Sequence, residues 1–314
     1  MPDRRVAWLF PGQGAQEVGM AHDLHAASPA ARRVFETADE TLGYSISQVC
    51  FEGPAERLQD TQFAQPALFT TSIACLEAAR ELGGVSNEPP SFVAGHSLGE
   101  YTALVAAKAI DFADGVRLVQ ERGRLMAEAA QQQPGAMAAL LGLDEDRVAE
   151  LCDEAGAEVC NINAPGQIVI GGTPAAVDAA MALALERGAQ RGIKLRVSGA
   201  FHTSLMQPAA EGMARAVAVA AIHDATVPVV VNTTGAAIAR AQELRDELVS
   251  QLIQPVQWLR SVQYLVEHGI DSVIEFGPGR VLTGLARRID RSIAVRNVSD
   301  ITSARATTTA PTPP

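Results

Sequence analysis

Apolar residues run without a break from Val6 to Phe10 and stop at Pro11-Gly12-Gln13-Gly14, the pattern of a strand buried on both faces that leaves a sheet into a glycine-rich turn. Phe92 to Gly95 repeats that design. Ser97 to Lys108 reads as a helix, and Asp114 to Ala130 as a second one closed by Pro134-Gly135. Strands alternating with helices in this way predict a mostly parallel sheet covered on both faces. From about Ala136 the texture changes. MAALLGL predicts a strand, DEDRVAELCDEAG a helix, EVCNINA and QIVIGG the strands of a hairpin, PAAVDAAMALALERG a helix and IKLRVS a strand. This βαββαβ order is that of a ferredoxin-like unit, inserted between two parts of a larger one. After His202 the chain returns to helix, to VPVVVN, to a helix near Gln242 to Leu252, and to SVIEFGPGR, another buried strand ending in a glycine-rich turn.

A chain of 314 residues with 47% hydrophobic and 19% charged content can bury a sizeable core, which excludes a disordered or fibrous protein. With aromatics at only 4%, that core must be mostly Ala, Val, Leu and Ile. The net charge of −11 argues against nucleic acid as a partner, since polyphosphate binding needs a basic surface. Cys50, Cys75, Cys152 and Cys160 are scattered without a CxxC pair, so neither a zinc site nor a disulfide framework is expected, and buried free thiols are. The opening MPDRRVAWLFPG is no signal peptide, and no apolar stretch approaches the roughly 18 residues of a membrane helix. The expected location is the cytoplasm, away from any membrane.

Gly95-His96-Ser97-Leu98-Gly99 is a GxSxG motif with an apolar strand before it and a helix after it, the context in which the serine projects from a strained bend as a nucleophile. A chance GxSxG in a chain rich in Gly and Ala is the bland alternative. The expected fold is therefore α/β: an α/β-hydrolase-like large subdomain with a mostly parallel sheet (1–130 and 199–301) and an inserted ferredoxin-like small subdomain (131–198). Residues 302–314, which end in Thr, Ala and Pro, are expected to be a disordered tail or linker. The Leu98 amide, at the start of the following helix, is placed to stabilise an oxyanion. A second donor is the Gln13 amide, because turns at the same edge of a parallel sheet converge.

For the base, His96 is locked beside Ser97 and points away from it. His22 and His25 lie three apart in a polar stretch with no carboxylate cluster, so no metal is expected there. His202, in GAFH at the end of a strand and the opening of a helix, is the best candidate, since a helix amino terminus favours the neutral form that can accept a proton. A core or capping histidine is its other reading. No aspartate is placed to orient it, which argues against an ordinary esterase. In DGVRLVQERGRLMAEA, Arg122 falls on the apolar face formed by Leu118, Val119, Leu125, Met126 and Ala129, while Arg117 and Arg124 point elsewhere. A guanidinium turned inward must be paired, either with a carboxylate of the protein or with one on a substrate.

With FPGQGAQ, AGHSLGE, ERGRLM, GAFH, QLIQPVQW and EFGPGRVLTG in this order, the chain closely resembles malonyl-CoA:acyl carrier protein transacylases, from about Val6 to Ile289. The discrete acyltransferases that serve polyketide synthases share the pattern. The resemblance implies Ser97 as nucleophile, His202 as base, Gln13 and Leu98 as oxyanion amides, and Arg122 as the ligand of the malonyl carboxylate. It also implies that the histidine is oriented by the backbone carbonyl of Gln251 in place of an acid, and that His96 and Phe201 set acyl selectivity, the ring of Phe201 crowding a branched carbon. Ala15 replaces the serine common in that first motif, and Gln254 stands where Asn often precedes Pro-Val-Gln-Trp. The expected partners are malonyl-CoA, a substrate rather than a cofactor, and an acyl carrier protein in fatty acid or polyketide synthesis, with the enzyme a monomer. A hydrolase that clears acyl groups from carriers and a non-catalytic docking module are the alternatives. Arg122 argues against the first and an intact Ser97 with His202 against the second.

Overall fold

The computed structural model describes residues 5–86 and 88–306. In chain order its strands are β1 (Val6–Phe10), β2 (Phe92–Gly95), β3 (Ala136–Leu141), β4 (Glu158–Ala164), β5 (Gln167–Gly172), β6 (Arg191–Lys194), β7 (Val229–Val230), β8 (Ala237–Ile238), β9 (Ser272–Phe276) and β10 (Ala294–Val298). One sheet has the order β10, β9, β1, β2, β7, β8, parallel except for the β7 and β8 pair. The second, antiparallel throughout, has the order β4, β5, β3, β6, which is the ferredoxin-like arrangement.

Alternation along β1 shows why the parallel sheet needs cover on both sides. Trp8 and Phe10 enter a core with helices Pro29–Leu42 and Thr61–Glu81, whereas Ala7 and Leu9 enter another with Trp258, Val262 and Leu265. The small sheet is built likewise. Ala138, Leu140, Ile168 and Ile170 pack on helices Glu145–Ala155 and Pro174–Glu186 through Val148, Leu151, Val177 and Ala180. Its opposite face turns Met137 and Val169 towards the large subdomain, where they line a cleft. Because β1, β2 and β9 run parallel, their carboxyl-terminal turns all open at the edge that faces this cleft.

Several expectations change in the structure. The helix after Ser97 spans Gly99–Ala106, since the bend itself consumes two residues, and the next spans Phe112–Gln132. IKLRVS stays in the sheet only through Lys194, because Leu195, Arg196 and Val197 leave it to line the cleft. VPVVVN contributes the two residues of β7. Thr61–Glu81 is a helix that no apolar stripe announces, because it is buried almost all round. The expected tail is ordered at its start. Ile301–Arg305 is a helix capped by Asp300, with Ala304 fully buried and Arg296 bonded to the Ser303 carbonyl at 2.6 Å. Its remainder, 307–314, lies outside the described residues. All four cysteines are buried and unpaired.

Candidate active site

Ser97 sits between β2 and the helix Gly99–Ala106 with φ of 50°, a left-handed conformation that costs an L-residue about 1–2 kcal/mol. The flanking glycines make the bend possible. A Cβ on Gly95 would lie 1.9 Å from the Gly99 carbonyl carbon, and one on Gly99 would lie 2.0 Å from the Phe10 oxygen. The β1 turn packs on the same bend: the His96 amide donates to the Phe10 carbonyl at 3.0 Å, and a Cβ on Gly12 would meet the His96 oxygen at 2.5 Å. The Ser97 amide is occupied, donating to Asn232 Oδ1 at 2.6 Å. The amides of Gln13 and Leu98 donate no hydrogen bond among the described residues.

His202 Nε2 lies 2.8 Å from Ser97 Oγ, and its Nδ1 lies 2.7 Å from the carbonyl oxygen of Gln251. A carbonyl only accepts, so Nδ1 carries the proton and Nε2 presents its lone pair to the serine hydroxyl. The imidazole is 4% exposed, and burial, followed by the positive charge of Arg122, pushes its pKa down to about 3. The lowered pKa agrees with the neutral state expected from sequence. His202 precedes the three-residue turn Ser204–Met206, whose cap is Thr203 and which runs directly into the helix Gln207–Val219, and desolvation is the largest cause of its lowered pKa.

Arg122 is 1% exposed, on the buried face of Phe112–Gln132. Its Nη1 donates to Gln65 Oε1 at 2.8 Å, and its Nη2 donates to Gln251 Oε1 at 2.9 Å and to Ser97 Oγ at 3.1 Å. The guanidinium carbon lies 5.4 Å from the centre of the Tyr101 ring, and Nε has no partner among the described residues. Among the described residues no carboxylate comes within salt-bridge distance of it. Of the two partners open to a buried arginine, the described residues do not supply the carboxylate. What surrounds the charge is a set of neutral acceptors, one of them the candidate nucleophile.

A model of the acyl transferase domain matches residues 7–308. The chain belongs to the acyl transferase family. Among relatives of this acyl transferase, the malonyl CoA-acyl carrier protein transacylase of Bacillus subtilis (strain 168) is 46% identical over 301 residues, 94% of this chain and 94% of the relative. The protein of the same name from Escherichia coli (strain K12) is 45% identical over 91% of this chain and 93% of its own. The structure of the Coxiella burnetii malonyl CoA-acyl carrier protein transacylase superposes with a TM-score of 0.93 at 37% identity, covering 97% of this chain and 98% of that one. A malonyl-transacylase in complex with its type II PKS acyl-carrier protein superposes with a TM-score of 0.91 at 40% identity, covering 96% and 97%.

Around this constellation the acyl transferase has a cleft of about 370 Å³, lined by Gln13, His96, Ser97, Phe201 and His202 and walled by the small sheet. His96 lies 2.8 Å from Asn163 Oδ1 through Nε2, which keeps it from Ser97, and burial lowers its pKa. The Gln13 side chain donates to Thr61 Oγ1 at 3.2 Å, which in turn lies 3.0 Å from Ser198 Oγ. His22 and His25 are remote from the cleft, each with its ring centre 5.1 Å from that of Phe51. Reasoning from sequence missed Gln65, Asn163, Asn232 and Glu100. For Glu100 the signal was a carboxylate in an otherwise apolar helix, and the structure buries it fully.

Proposed function

We infer that this acyl transferase moves a malonyl group from malonyl-CoA to the phosphopantetheine thiol of an acyl carrier protein through a malonyl ester on Ser97. The observation that carries the reading is Arg122: a buried guanidinium without a carboxylate, bonded to the same Oγ that faces His202. Its planar fork suits a free carboxylate, and a desolvated site strengthens that pairing. Relatives across nearly the whole chain bear the name malonyl CoA-acyl carrier protein transacylase, in line with this substrate.

In the first half, Ser97 Oγ attacks the thioester carbonyl while its proton passes to His202 Nε2, and the Gln13 and Leu98 amides hold the oxyanion. Collapse breaks the C–S bond, and His202 returns the proton to the coenzyme A sulfur. In the second half, the pantetheine thiol gives its proton to His202 and attacks the ester. The Ser97 C–O bond then breaks, and Oγ recovers the proton. Gln251 keeps the imidazole in the required tautomer through its carbonyl. Phe201 and His96 bound the space for the acyl group. No metal or cofactor enters these steps. The reading includes subdomains at 1–130 with 199–301 and at 131–198, and a monomer acting in the cytoplasm. Among the described residues no helix is long and apolar enough to cross a membrane.

Intact-mass analysis after incubation with malonyl-CoA tests the reading. A malonyl adduct is expected, absent in Ser97→Ala, and discharged by holo carrier protein to malonyl-carrier. Release of free malonate with no loading of the carrier would make the protein a hydrolase instead.

A further inference from the structure

Both backbone polar groups of Ser97 are held by side chains from distant segments. Gln251 Nε2 donates to its carbonyl at 3.0 Å, and Asn232 Oδ1 accepts from its amide at 2.6 Å. Asn232 is 1% exposed, and every polar group it has is used. Its Nδ2 donates to the Gly95 carbonyl at 2.6 Å and to Glu100 Oε2 at 2.6 Å, and its backbone amide donates to the same Oε2 at 2.7 Å. Its carbonyl accepts from the amide of Gln257 at 2.8 Å, six residues along the chain from Gln251, whose carbonyl meets His202 Nδ1. Glu100 is fully buried, three residues after the nucleophile, and its second oxygen has no hydrogen-bond partner among the described residues.

We propose that Asn232, braced by Glu100, is a positioning residue for acyl transfer: it ties the bend that carries Ser97 to the segment that orients His202. The proposal rests on Ser97 being the acylated residue. Fixing the left-handed bend aims Oγ at Nε2 and removes the work of reorganising it in the transition state. Occupying the Ser97 amide has a second effect. It leaves the Leu98 amide as the free donor at the bend, so the oxyanion is directed there. Burial, then the nearby Glu247, raises the Glu100 carboxyl well above the usual carboxylate range. A glutamine would present the same accepting oxygen to Asn232.

The next residue supplies the control. Thr233 is held in the same way by a buried acid, its amide donating to Glu247 at 3.0 Å, but no bond of that pair reaches Ser97. Single-turnover malonylation of Ser97 should fall about 10- to 100-fold in Asn232→Ala, with KM for malonyl-CoA within about threefold of wild type, as loss of a transition-state interaction requires. Glu100→Leu should lose about 10-fold, and Glu100→Gln should recover most of it. Glu247→Gln should lower Tm with no loss of rate per folded molecule. If Asn232→Ala does not fold, the two Glu100 variants decide the matter. An unchanged malonylation rate in Asn232→Ala, or equal losses in Glu100→Leu, Glu100→Gln and Glu247→Gln, would overturn the proposal. Absence of any adduct in the wild type would instead overturn the assignment of Ser97.

Discussion

Arg122 and Arg124 lie two positions apart in the helix Phe112–Gln132 and live in opposite surroundings. On the solvent face Arg124 is 44% exposed at its side chain and bonded to two carboxylates, Glu121 at 2.6 Å and Glu128 at 2.5 Å. On the inner face Arg122 is buried and bonded to two amides and a hydroxyl. The cation that water could have served has anionic partners, and the one cut off from water has none of its own. The difference separates a charge that the fold has met with anions from one that it has met only with neutral acceptors.

Removing the inner charge should have the largest effect. Arg122→Ala is expected to weaken malonyl transfer by about 2–4 kcal/mol in the transition state, read as a fall of roughly 30- to 1,000-fold in kcat/KM for malonyl-CoA, while transfer of a neutral acyl group such as acetyl is spared. Equal losses for the two donors would break the comparison, because the inner guanidinium would then be serving the protein and not the substrate.

A smaller effect concerns His202. Its pKa near 3 places the acid limb of kcat/KM far below pH 6.5, since that limb reports the protonation of the free enzyme's base. Arg122 is the second cause of that depression, after burial. In Arg122→Ala the limb, followed with acetyl-CoA, is therefore expected to move to higher pH and to remain below 6.5. A limb that does not move would show that the charge and the base are uncoupled. At the low end, Arg124→Ala should change stability by under about 1 kcal/mol in a denaturant titration and leave malonyl transfer untouched. A larger loss would erase the contrast between the two faces.

The elbow was legible because its signal is local: Gly95 and Gly99 flank the serine within five residues, and the clash that each avoids can be anticipated from the motif. Arg122 was legible as a charge within an apolar stripe, though the stripe alone left its partner open between protein and substrate. His202 was found on a partial argument, for the largest cause of its lowered pKa is burial, which the helix that follows it does not announce. Gln65 and Asn232 gave no warning. They are neutral amides at positions where an apolar run or a turn reads normally, and their importance comes from contacts 57 and 135 residues away. The helix Thr61–Glu81 escaped for a related reason, since burial on all sides leaves no periodicity to read.

Backbone sterics and side-chain periodicity act between near neighbours, so the order of residues alone determined that a serine would stand in a left-handed bend between strand and helix, and that an arginine would turn inward. Which groups meet that arginine depends on segments brought together from opposite ends of the chain. Tertiary structure alone decided that two glutamines and the serine surround the charge and that, among the described residues, no carboxylate pairs with it. Hydrogen bonds and ion pairs require atoms within about 3–4 Å of one another, and no local pattern sets such a distance across a hundred residues.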